Sequence, residues 1–143
     1  MSPLAAAVLS LVLAIASLTD LRSRIVPNGL TLSAASAGLA LAATGGLEAV
    51  ALAITAGLAI ASPLLLIALL RPDGMGMGDV KLVAVMGLFI GWQAWSALLT
   101  GLLLAGLAGL LISLGTGSRP SRVALPLAPF LAAGTLPVLV VAL

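Results

Sequence analysis

Six apolar runs, separated by breaks of a few residues each, leave this 143-residue chain no polar surface with which to face water. They lie at 3–19, 30–44, 47–70, 80–90, 92–115 and 123–143. Hydrophobic residues make up 62% of the chain and charged residues 7%, where a soluble domain has roughly a quarter charged. Mean hydropathy is +1.34. Only helices and closed barrels satisfy their own backbone groups in lipid, and runs of this length suit helices. The expected fold class is all-α: a polytopic membrane helix bundle of about six transmembrane helices. It forms a single domain, 1–143, because no polar stretch is long enough for a separate soluble one. The runs at 30–44 and 80–90 are short for a full crossing and are expected to extend into their loops, tilt, or sit in thinned bilayer. The run at 80–90 has three readings: a separate span, a re-entrant or half-buried helix, or one helix continuous with the next across Gly91-Trp92-Gln93.

The breaks have local causes. Pro27-Asn28-Gly29 ends an extended loop and starts a helix, since proline fixes its own φ and disfavours helix just before it. Gly45-Gly46 closes the second run, Arg71-Pro72-Asp73-Gly74 the third, and the break from Gly115 through Arg119 and Pro120 the fifth. Leu4 to Leu18 has the length of a signal peptide core, but its basic residues, Arg22 and Arg24, follow it. That order is the reverse of a secretory signal, so the run reads as a retained helix. With six spans, Arg22, Arg24, Arg71, Lys81, Arg119 and Arg122 all fall on one side, while the opposite loops hold Glu48 and Gln93. Basic loops stay in the cytoplasm, which places both termini outside. Fusing the fourth and fifth runs would put Arg119 and Arg122 on the wrong side. Small residues recur every fourth position at Ala53, Gly57, Ala61 and at Gly101, Ala105, Gly109. Such faces let helices approach closely, here within the bundle.

The chain has no cysteine, histidine or tyrosine. Disulfides, thiol nucleophiles and the usual metal ligands and general base are therefore excluded. No metal and no cofactor is expected. The pI near 10.6 rests on six basic residues spread over three loops, which argues against nucleic acid as a partner.

What remains is acid chemistry. Of four carboxylates, Asp20 closes the first run and Asp79 opens the fourth, at the same membrane depth. An ionisable group beside a span is costly and usually functional. Two carboxylates brought close cannot both ionise easily and share a proton. Such a pair activates water: the ionised member takes its proton while the neutral one protonates the substrate carbonyl. Gly76 and Gly78, just before Asp79, would admit a substrate backbone and allow unusual φ. Each acid also has a plain structural reading. Asp79 suits a helix N-cap. Asp20 suits a solvated interfacial acid paired with Arg22 or Arg24. Asp73 reads as a turn residue and Glu48 as an interfacial one. Lys81 is either a snorkelling anchor or a neighbour that favours the charged form of Asp79.

These residues form a recognisable set. Gly76-Met77-Gly78-Asp79 resembles the Gly-x-Gly-Asp signature of intramembrane aspartyl proteases. Asp20 followed by Ile25-Val26-Pro27-Asn28, Val80-Lys81-Leu82 after the second acid, and Pro126-Leu127-Ala128-Pro129-Phe130-Leu131 resemble the type IV prepilin peptidase pattern, in the same order. The resemblance implies an aspartic-type endopeptidase that removes the leader from prepilin-like or pseudopilin-like precursors at the cytoplasmic face of the cell membrane. Asp20 and Asp79 carry over as the catalytic pair, with Gly76, Gly78, Lys81, Pro27 and Asn28 as substrate-binding or supporting residues. Precursor proteins and membrane lipid are the implied partners. Larger members carry a cytoplasmic segment with paired cysteines and also N-methylate the mature pilin. Here a short loop joins the first two runs and cysteine is absent, so methyltransferase activity is not expected. That departure resembles the short forms serving Flp/Tad-type pili or archaeal preflagellins. Presenilin and signal peptide peptidase share Gly-x-Gly-Asp but have a tyrosine before the first acid, where Thr19 stands here. Two other function classes use the same acids: a small proton- or ion-conducting protein, and a non-catalytic subunit of a pilus or secretion assembly.

Overall fold

The computed structural model describes residues 1–71, 75–116 and 125–142. Among them the secondary structure is helical throughout: α1 (Pro3–Ser23), α2 (Asn28–Ala43), α3 (Leu47–Leu70), α4 (Met77–Ile90), a short 3-10 turn (Gly91–Gln93), α5 (Ala94–Thr116) and α6 (Ala128–Ala142). The helices outrun the apolar stretches where polar residues form a first or last turn. Asp20 to Ser23 complete α1, Asn28 and Gly29 open α2, and Met77 to Asp79 open α4. Asp73, with Pro72 and Gly74, and Arg119 and Arg122, with the rest of 117–124, lie outside the described residues.

Close contacts set the direction of each helix. Asn28 meets Lys81, and Gly38 packs on Leu88 and Phe89, so α2 and α4 run parallel. Gly57 faces Ala84, Gly87 and Leu88, so α3, whose end leads to the start of α4, is antiparallel to it. Gly109 lies by Leu125, Gly101 by Leu131, and Ala97 by Gly134, which makes α5 and α6 antiparallel. The fourth and fifth runs are therefore separate helices folded back on one another. Gly91, at φ +56°, ends α4 in a conformation that a side chain would strain. As one stretch Met77–Gly115 is apolar and long enough to cross a membrane, as are Pro3–Ser23 and Leu47–Leu70.

The helix ends gather in two layers. One holds the ends of α1 and α3 and the starts of α2, α4 and α6, with Asp20, Arg24, Asn28, Asp79, Lys81 and Ala128. The other holds Ser2, Thr44, Gly45, Gly91 and Trp92. Leu9, Ile60, Leu82, Met86, Leu98 and Leu131 fill the core between them, each under 2% exposed. Outward faces carry Leu4, Leu11, Leu32, Leu58, Leu103 and Val140, all exposed. An apolar exterior of this kind suits lipid, where exposing leucine has no cost.

Both small-residue faces pack inside the bundle. Ala53, Gly57 and Ala61 are buried along α3. A Cβ on Gly87 would lie 2.5 Å from the Gly57 Cα. Gly101 is buried against α6, where Gly134 sits on the backbone of Ala97 and Gly101. Ala105 and Gly109 are half-buried.

Candidate active site

Asp20 lies in the last turn of α1, which ends where Arg24 takes the left-handed conformation (φ 54°) and gives its N–H to the Asp20 carbonyl. That turn redirects the chain into the extended link Ile25-Val26-Pro27. Pro27, with φ −63° and ψ 134°, stands as the N-cap of α2 and accepts the Thr31 N–H. Its side chain is exposed and does not line the cavity described below. Pro27 therefore sets where α2 begins and so positions Asn28.

Asp20 is only 6% exposed. Its Oδ2 accepts the backbone N–H of Ala128 at 3.0 Å, in a buried bond between residues 108 apart. The physical need is plain. A carboxylate at a helix C-terminus faces the negative end of its own helix, and the positive N-terminus of α6 offsets this. Among the described residues Asp20 makes no ion pair, so it is not a solvated acid paired with Arg22 or Arg24.

Asp79 is the third residue of α4, in its first turn. Gly76 is the N-cap and no side chain caps the helix, so Asp79 is not the cap. Among the described residues no protein group hydrogen-bonds its half-buried carboxylate. Gly76 and Gly78 use ordinary backbone geometry: the positive-φ glycines among the described residues are Gly46 and Gly91. What Gly78 supplies is room inside the protein. A Cβ there would stand 3.0 Å from the Val26 Cβ, so the start of α4 lies directly on the link from α1 to α2. Gly76 stays exposed, and a Cβ there would stand 3.5 Å from the Asp79 Oδ2.

Both acids line one cavity of about 370 Å³, with Arg24, Ile25, Val26, Asn28, Gly76, Met77, Gly78 and Lys81. Two larger cavities lie elsewhere, one at the far layer and one between α2 and α4. Neither contains a carboxylate, and the smaller polar one is where acid chemistry can take place. Lys81 Nζ donates to Asn28 Oδ1 at 2.8 Å, so its hydrogen-bonded partner is Asn28 and not Asp79. Thus Asp20, Asp79, Gly76, Gly78, Lys81 and Asn28 come together, and Pro27 lies behind them. Val26 beneath Gly78 and Arg24 at the turn join the cavity wall, and one contributor was missed from sequence: the Ala128 amide. That amide had a signal. Pro129, in the first turn of α6, marks a helix start, whose free N–H groups seek an acceptor.

Residues 7–114 match the type IV leader peptidase family. A prepilin leader peptidase/N-methyltransferase of Burkholderia pseudomallei (strain K96243) is 34% identical over 123 residues, which is 82% of this chain and 40% of that protein. One from Aeromonas hydrophila is 36% identical over 117 residues, covering 78% of this chain and 39% of that protein. The chain thus spans about two fifths of the length of the curated relatives it matches. No solved structure matches it. The family match covers both acids, and the relatives cover most of the chain: the protein belongs to the type IV leader peptidase family.

Proposed function

We propose that the protein is a membrane aspartyl endopeptidase that cuts the leader from prepilin-like precursors at the cytoplasmic face. The observation that carries this is the meeting of Asp20 and Asp79 in one cavity at the layer of helix ends. Family membership supports the peptide substrate. The basic residues Arg22, Arg24, Arg71 and Lys81 belong to that same layer, which supports six spans, a cytoplasmic site and both termini outside.

In the proposed reaction one carboxylate is ionised and the other carries a proton. The ionised one takes a proton from a water as its oxygen bonds to the peptide carbonyl carbon. The protonated one gives its proton to the carbonyl oxygen. The tetrahedral intermediate then collapses: the C–N bond breaks, the leaving nitrogen takes the proton held by the first carboxylate, and one hydroxyl of the intermediate returns its proton to the second carboxylate as the carbonyl re-forms in a carboxylic acid. Asp20, held by the Ala128 amide, supplies a fixed oxygen. Asp79, whose carboxylate has no hydrogen-bond partner among the described residues, is available to water and substrate.

Asp20→Asn and Asp79→Asn should each abolish the size shift of a coexpressed precursor while the protein still inserts in the membrane. Full cleavage by either variant rejects the dyad. The same preparations, given S-adenosylmethionine and cleaved precursor, should incorporate no methyl group. Methyl transfer by the wild type would overturn the peptidase-only reading.

A further inference from the structure

Between α2 and α4 runs a groove of about 470 Å³, lined by Thr31, Leu32 and Ala35 on one side and Ala84, Val85 and Leu88 on the other. Its mouth is formed by Asn28 and Lys81, which also line the cavity holding the two acids. The groove and the candidate active site therefore adjoin, with the hydrogen-bonded Asn28 and Lys81 between them. The two helices are parallel, so the groove follows them from the acids toward the membrane interior over two turns, about 10 Å. Ala35 and Ala84 keep it open along its length. It closes where Phe89 packs on Gly38, a contact so tight that a Cβ on Gly38 would lie 2.9 Å from the ring.

We infer that this groove seats the apolar helix that continues from the scissile bond of the peptide substrate. The inference rests on the peptidase reading above. A bond held at the acids has one flank outside the bundle and the other entering it. Only an apolar, helical flank suits walls of leucine, valine and alanine at membrane depth. A lipid fits the walls but not the mouth. An anionic headgroup at Lys81 would lie in the cavity that holds two carboxylates, whereas a peptide backbone is neutral. Asn28 has an amide donor and acceptor to offer that backbone once Lys81 releases it.

The chain contains no cysteine, so a photoreactive maleimide can be placed on one introduced thiol. With Asp79→Asn present to hold the precursor uncut, Leu32→Cys should crosslink to its apolar segment. Ala40→Cys, on the same helix but outside the groove, should not. In the otherwise wild-type protein Ala35→Phe, which fills the groove, should raise KM for the precursor about tenfold with a smaller effect on kcat. Ala40→Phe should leave both unchanged. If the wild type cleaves the precursor but Leu32→Cys labels lipid alone, or Ala35→Phe leaves KM unchanged, the groove assignment falls and the peptidase reading stands. If the wild type cleaves no precursor, both fall.

Discussion

Asp20 and Asp79 are both acids at helix ends, yet their surroundings differ. Asp79, in a first turn, sits at the favourable end of its own helix. Asp20, in a last turn, faces the unfavourable end and depends on the Ala128 amide. Ala128 is the first residue of α6, a position where proline fits the backbone and removes only the N–H. Ala128→Pro should therefore lower kcat about ten- to a hundredfold with little change in KM, because it frees a carboxylate without removing it. Ala128→Gly, which keeps the donor, should retain most activity. Equal rates for the two variants in single-turnover cleavage would show that the bond does not position Asp20. The acids and their motif partners were legible in the chain, because a rare charge beside an apolar run stands out by composition alone. The amide was not: backbone donors look alike in a sequence, and only packing decides which one a carboxylate meets.

The helices themselves were nearly all legible, and their misjudged ends have a common cause. Hydropathy finds where lipid begins, whereas helices continue into polar turns such as Asp20 to Ser23 and Met77 to Asp79. What could not be read was which helices touch. The glycines show it afterwards: Gly57 meets Gly87, and Gly101 meets Gly134, with backbone against backbone. Because α4 carries Asp79, the Gly57–Gly87 contact also sets how deeply that acid is held. Gly87→Val should part α3 from α4, cost about 1–3 kcal/mol, and lower the unfolding midpoint in detergent together with activity. Gly106→Val, where a Cβ meets nothing within 4 Å, should leave the midpoint unchanged. Matching midpoints for the two variants would remove the contact from any structural role.

For the molecule as a whole, helix direction alternates and the helix ends form two layers with the acids in one. Impermeant maleimide applied outside intact cells should then label Glu48→Cys and spare Ser23→Cys, and permeabilised cells should show both. Labelling of Ser23→Cys from outside would invert the topology. By itself the sequence determined that this protein is a membrane helix bundle with two acids at one depth. That follows because hydropathy and charge act locally, residue by residue, and lipid tolerates few alternatives. Only the tertiary structure decided that α6 starts beside Asp20, that Val26 fits beneath Gly78, and that a groove between α2 and α4 adjoins the acid cavity. Those pairings join residues distant in the chain. They depend on the shapes of facing helix surfaces, which composition and periodicity do not encode.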